Sequence, residues 1–260
     1  MDQPSADRAG TLSGRTAIVV GGSRGIGRAI VRRLAADGAA VVFGFATNKE
    51  AAQETENEVR AEGGTAWGVQ ADVADLAQLE ALYDAADERF AGAGLQVLDI
   101  LVNSAAVPVM TPLGSTSAET YEHVMAVNAR APFFSMQHAV GRLRDGGRIV
   151  NISTVTTRWP RVPESAYIGS KAALEAFTRV AARELAPRQI TANVVSPGPS
   201  DTEMLRGTTT QEIRDQVIAD TPLNRLGRPS EIAAVVAFLA GPDGVWVTGQ
   251  NIRADGGLVY

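Results

Sequence analysis

Residues 16–30 read Thr16-Ala17-Ile18-Val19-Val20-Gly21-Gly22-Ser23-Arg24-Gly25-Ile26-Gly27-Arg28-Ala29-Ile30. A short apolar run ends in a glycine cluster, and apolar residues at helical spacing follow it. Strand, glycines, helix is the order of the first βα unit of a parallel sheet. Glycines at 21, 25 and 27 give the pattern G-x-x-x-G-x-G. Without a Cβ they let the backbone turn sharply and let a pyrophosphate come close. The helix that starts there offers unpaired N–H groups and the positive end of its dipole to that phosphate. Gly21, Ser23, Arg24, Gly25, Ile26 and Gly27 are therefore candidates for a dinucleotide-binding turn.

Outward from this turn, short apolar runs recur at 16–20, 40–45, 65–70, 98–102, 148–152 and 191–195, with a last short run at 251–253. Between them lie stretches of helical spacing at 26–37, 49–62, 75–90, 118–143, 165–186 and 229–240. The alternation predicts an α/β fold, a doubly wound parallel sheet with helices on both faces. The runs are apolar almost throughout, as strands covered on both faces require. No linker, repeat or low-complexity stretch intervenes. One domain is expected over 13–260, behind a flexible tail over 1–12. At the end of the second run an acidic residue would take the adenosine 2′-hydroxyl of NAD. That run ends Phe43-Gly44-Phe45-Ala46-Thr47-Asn48-Lys49, with no acid before Glu50. Arg24, Thr47, Asn48 and Lys49 suit a 2′-phosphate, so NADP is expected over NAD.

Composition narrows the classes further. A net charge of −5 runs against the basic footprint of a nucleic-acid binder. The absence of cysteine excludes disulfides, thiolate nucleophiles and cysteine metal sites. His123 and His138 have no partner at ligand spacing, so no metal site is expected. No apolar run approaches the ~18 residues of a membrane span, and residues 1–10 lack the apolar core of a secretory signal. The expectation is a cytoplasmic protein with neither membrane nor nucleic-acid partner.

Only two lysines occur, Lys49 and Lys171, and Lys171 stands four residues after Tyr167. Helical spacing puts both side chains on one face. An ammonium beside a phenol favours the phenolate and is expected to pull its pKa down from about 10. The pair is a candidate acid–base device.

With these residues in view the chain resembles the short-chain dehydrogenase/reductase family in its single-domain, Rossmann-fold form, from about residue 13 to 260. Gly21 to Gly27 match its glycine turn, and Tyr167 with Lys171 its Y-x-x-x-K pair. Asp72-Val73 stands where the family's aspartate contacts adenine. Asn103-Ser104-Ala105-Ala106 matches the N-N-A-G motif, with Ser104 and Ala106 departing from it. Asn128 falls where the family has a catalytic asparagine. Ser196-Pro197-Gly198-Pro199 and Thr202 match the segment that lies along the nicotinamide, and Thr248-Gly249-Gln250 with Asp255-Gly256-Gly257 the C-terminal signature. Val20 replaces a common threonine. Counting back thirteen residues from Tyr167 reaches Thr154, not a serine; Ser153, one residue earlier, is the alternative and would point to the opposite face of a strand.

The resemblance implies hydride transfer between NADP(H) and a carbonyl or alcohol. In it Tyr167 is the general acid, Lys171 lowers the phenol's pKa and binds the nicotinamide ribose, Thr154 or Ser153 polarises the substrate oxygen, and the Asn128 carbonyl relays protons through water. Asp72, Val73, Asn103, Ala105, Pro197, Gly198 and Thr202 join the glycine turn, Thr47, Asn48, Tyr167 and Lys171 as cofactor contacts. Loops 105–116, 154–166 and 199–224 are expected to form an apolar pocket for a small carbonyl compound, with 200–224 as a mobile lid. The resemblance also implies a homotetramer. Reduction of a 3-oxoacyl or polyketide thioester on a carrier protein, oxidation of an alcohol or sugar, and a non-catalytic NADP-binding role are the alternatives.

Overall fold

The computed structural model describes residues 10–259. Seven parallel strands form one sheet in the order β3-β2-β1-β4-β5-β6-β7. They are β1 (Thr16–Val20), β2 (Ala40–Phe45), β3 (Thr65–Gln70), β4 (Leu98–Asn103), β5 (Leu143–Ile152), β6 (Thr191–Pro197) and β7 (Asn251–Ala254). The order reverses between β1 and β4. Ligands of such sheets bind beyond the strand C-termini at that reversal. Val20 is level with Asn103, and Asn103 with Asn151, so three central strands end flush beneath one crevice.

Helices α1 (Gly25–Ala36), α2 (Lys49–Ala61), α3 (Leu76–Gly92), α4 (Ala118–Met125), α5 (Ala131–Val140), α6 (Ser165–Glu184), α7 (Glu203–Thr208), α8 (Gln211–Asp220) and α9 (Pro229–Ala240) complete the fold. Successive strand residues point to opposite faces, and two cores result. Val19, Val41 and Val102 pack with Ile30 and Leu34 of α1 and Val236 and Leu239 of α9. Ile18, Val42 and Leu101 pack with Leu79, Leu82 and Phe90 of α3 and Met136 of α5.

Three local expectations need correction. Residues 1–9 of the expected tail lie outside the described residues, but Leu12 belongs to the core: it is buried, and its N–H donates to the Asp37 carbonyl at 2.8 Å. The helix expected over 118–143 is α4 and α5 joined by a π-helical turn, Ala126–Arg130. β5 begins at Leu143, ahead of the glycines at 146 and 147 that concealed it; Gly146 has φ +78°. The segment expected as a mobile lid carries α7 and α8. Threonine hydroxyls start both: Thr202 accepts the Leu205 N–H and Thr210 the Ile213 N–H, each satisfying a helix-end donor.

Candidate active site

The glycine turn between β1 and α1 is shaped by backbone contact. Gly21 has φ +86°, and a Cβ there would lie 2.6 Å from the Ala105 backbone beyond β4. A Cβ on Gly27 would lie 1.8 Å from the Gly21 carbonyl oxygen. Gly21 and Gly22 both donate N–H to the Gly44 carbonyl, and Thr55 and Arg28 donate to the Ser23 carbonyl. These bonds fix the turn. Ile26 packs onto the core below it. No side chain caps α1, and its first turn has no acid, so its N-terminal donors are left without a side-chain acceptor. Those features fit a dinucleotide pyrophosphate. Arg24 is two-thirds exposed, and its nearest carboxylate is Glu203, 3.8 Å away.

Thr47 and Asn48 are exposed beyond β2. The Asn48 side-chain oxygen, Oδ1, already accepts the Ala51 N–H at 2.9 Å as the cap of α2. Asp72, exposed beyond β3, spends one carboxylate oxygen on the Ala74 N–H at 3.0 Å. Val73 is buried beside it in the core. Pro197 ends β6, and a Cβ on Gly198 would meet the Asp255 backbone at 2.6 Å. Thr202 reaches back to the glycine turn, its methyl 3.6 Å from a Cβ built on Gly25.

Asn103 is committed to the interior. Its amide donates to Asn151 Oδ1 at 2.8 Å, and its carbonyl accepts Ser135 Oγ at 2.6 Å. Asn151 in turn donates to Thr178 Oγ1 at 2.8 Å, and Tyr83 bonds Ser135. This buried chain ties α3, α5, β4, β5 and α6 together beneath the crevice. The Asn103 side chain is thereby a structural tie, and only its backbone faces the strand ends.

Asn128 sits fully buried in the π turn. Its side chain exchanges two hydrogen bonds with the Val107 backbone, at 2.9 and 3.0 Å, and donates to Ser170 Oγ at 3.2 Å. Ser170 donates to the Tyr167 carbonyl at 2.6 Å. The asparagine thus docks the loop after β4 onto the turn of α6 that carries Tyr167. Single π turns inside α-helices recur at functional positions.

Tyr167 is half-buried on α6, one turn before the buried Lys171. The Lys171 Nζ donates to the Ile152 carbonyl at 2.8 Å. Thr154, just past β5, faces the Tyr167 phenol and acts to lower its pKa. The Thr154 Oγ1 accepts the Thr156 N–H at 3.2 Å and lies 3.1 Å from Thr156 Oγ1. Ser153 is turned away: its hydroxyl donates to Glu175 Oε1 at 2.7 Å.

The expected lowering of the phenol's pKa is not found. Burial, and then the Glu164 carboxylate, push the Tyr167 phenol above its ordinary value, against the Thr154 hydroxyl. Burial also pushes Lys171 down, to about 8, against the Glu175 carboxylate. Removal from water disfavours the charged form of each group. Glu164 itself is pushed up by burial, with Arg161 and a Thr156 hydrogen bond opposing.

Two residues escaped the sequence reading. Glu164 carried no motif signal. Glu175 did, because 167, 171 and 175 continue one i,i+4 stripe. Around the crevice Val107 is half-buried against the core, whereas Val162 is 91% exposed.

Comparisons with known proteins extend over nearly the whole chain. A family model described as enoyl-(acyl carrier protein) reductase matches residues 20–259. An uncharacterized oxidoreductase of Methylorubrum extorquens is 42% identical over 249 residues, 95% of this chain and 98% of the relative. Among solved structures, a short-chain dehydrogenase/reductase from Serratia marcescens superposes with a TM-score of 0.88 at 40% identity, covering 95% and 99% of the two chains. The angucycline C-6 ketoreductase LanV with bound NADP gives a TM-score of 0.91 at 38% identity, covering 96% and 98%.

Proposed function

This chain belongs to the short-chain dehydrogenase/reductase family of oxidoreductases, and on that premise we propose that it interconverts a ketone and a secondary alcohol with NADP(H), with Tyr167 as the general acid of reduction. The observation that carries the reading is that α6 sets Tyr167 one turn before the buried Lys171, whose ammonium is anchored to the Ile152 carbonyl just ahead of Thr154. NADPH, when bound, supplies the hydride. The glycine turn and the N-terminus of α1 would hold its pyrophosphate, and Arg24 its 2′-phosphate; the NADP bound to LanV supports that choice. Asp72, Val73, Ala105, Gly198 and Thr202 would line the remainder.

Thr154 donates to the substrate oxygen and orients it toward Tyr167. A half-buried phenol with a raised pKa keeps its proton at neutral pH, the form that can donate to an oxygen gaining negative charge. Such acid catalysis contributes roughly 10²–10⁴-fold. Lys171 supplies positive charge beside the reacting centre, and Asn128 ties the loop after β4 to α6. The exposed Val180 on α6 and Phe238 on α9 support assembly through those helices, as a homotetramer; light scattering of the purified protein decides the stoichiometry.

The test is NADPH absorbance with a panel of ketones, diketones and acyl thioesters. Oxidation of NADPH by at least one ketone is expected. Tight NADPH binding without oxidation by any of them would favour a non-catalytic binding protein, and turnover confined to acyl thioesters would favour a carrier-bound substrate.

A further inference from the structure

Glu175 lies one turn beyond Lys171 on α6 and is 8% exposed. A buried carboxylate is costly unless it is paired and hydrogen-bonded. Here one oxygen, Oε1, accepts both the Ser153 hydroxyl at 2.7 Å and the Thr157 hydroxyl at 2.8 Å. Those two residues bracket Thr154–Thr156, and Thr157 Oγ1 also lies 3.0 Å from the Thr154 carbonyl oxygen. On the same helix face Lys171 holds the Ile152 carbonyl, immediately before Ser153. The segment leaving β5 is thus fastened to α6 on both sides of Thr154.

We propose that Glu175 is a positioning residue: its carboxylate clamps both ends of the turn that carries Thr154 and supplies the counter-charge of the Lys171 ammonium. The clamp rests on the proposed role of Thr154; the counter-charge does not. Along α6 the ionisable neighbours of Lys171 are Tyr167 and Glu175. The β5–α6 segment packed on them brings the hydroxyls of Ser153, Thr154 and Thr157 and the carbonyl of Ile152. Glu164 acts on the Tyr167 end, with Arg161 beside it.

The chain's lysine content makes the test direct. Lysine labelled at Cε gives two side-chain signals, Lys49 and Lys171, and their NMR titration reads Lys171 alone, without turnover. In the wild type the midpoint is expected near 8. Glu175→Gln keeps an acceptor for both hydroxyls but removes the charge. Its Lys171 midpoint should fall by about one pH unit or more, and the alkaline limb of reduction should move down with it. The double variant Ser153→Ala/Thr157→Val keeps the charge and opens the clamp. It should keep the wild-type midpoint while kcat falls about tenfold or more. Should Glu175→Gln not fold, Glu175→Asp keeps the charge and shortens the reach, and should lower kcat at a nearly unchanged midpoint. An unchanged midpoint in Glu175→Gln overturns the counter-charge. Wild-type kcat in the double variant or in Glu175→Asp overturns the clamp. A wild type that turns over no carbonyl refutes the proposed function, and the titration still decides the counter-charge.

Discussion

Lys171 donates its Nζ to the Ile152 carbonyl oxygen across 2.8 Å, anchoring the ammonium to the last residue of β5. The bond aligns the side chain, yet burial outweighs it and leaves Lys171 at about 8, against an ordinary 10.5. Between those values the unfolded chain binds more protons than the folded one, so this group makes stability rise with pH across the window. Below about 8 the cost of the buried cation is fully present. Lys171→Met has nothing to titrate there. Relative to that variant the wild type should gain on the order of 3 kcal/mol between about pH 8 and 10.5. Urea unfolding of both proteins across that range reads the difference; a flat difference contradicts the buried cation.

The glycine turn predicts an asymmetry between two alanine variants. At Gly27 a Cβ meets backbone oxygen at 1.8 Å, whereas at Gly25, with φ +56°, it meets only the Thr202 methyl at 3.6 Å. Gly25→Ala should cost roughly 1–2 kcal/mol of left-handed strain. Gly27→Ala should cost about 3 kcal/mol or more and abolish NADPH binding. Thermal melts and NADPH fluorescence check both, and equal effects would contradict the geometry of the turn.

Arg24 separates the two nicotinamide cofactors. A lost charged hydrogen bond is worth about 1.5–3 kcal/mol, so Arg24→Ala should weaken NADPH roughly 10- to 100-fold and leave NADH nearly unchanged. Calorimetric titration with each cofactor measures this. Equal losses would remove the 2′-phosphate assignment.

Thr154 and not Ser153 carries the hydroxyl that faces Tyr167. Thr154→Ser should keep turnover within about tenfold, while Thr154→Val, which removes the donor, should lower kcat by roughly 10²-fold or more. Equal activity of the two variants would argue that the hydroxyl has no part in polarising the substrate.

The sheet was readable because its strands are continuous apolar runs covered on both faces, as in Ala17–Val20 and Ile100–Val102. β5 was read short because its first half is interrupted by Gly146 and Gly147, and sheet pairing rather than propensity extends it. Ala126–Arg130 looks like ordinary helix, since a π turn depends on what Asn128 docks and not on local preference. Spacing placed Tyr167 and Lys171 together. It could not give the direction of the phenol's shift, which follows from burial and from Glu164, a residue brought near by the loop ahead of α6.

Tyr167→Phe tests the central claim most directly, with NADPH affinity and single-turnover reduction measured on one preparation. The account expects affinity within about threefold of wild type and reduction lowered by roughly 10²–10⁴-fold. Tight NADPH binding with near-wild-type reduction would show that the proton comes from another group and would contradict it.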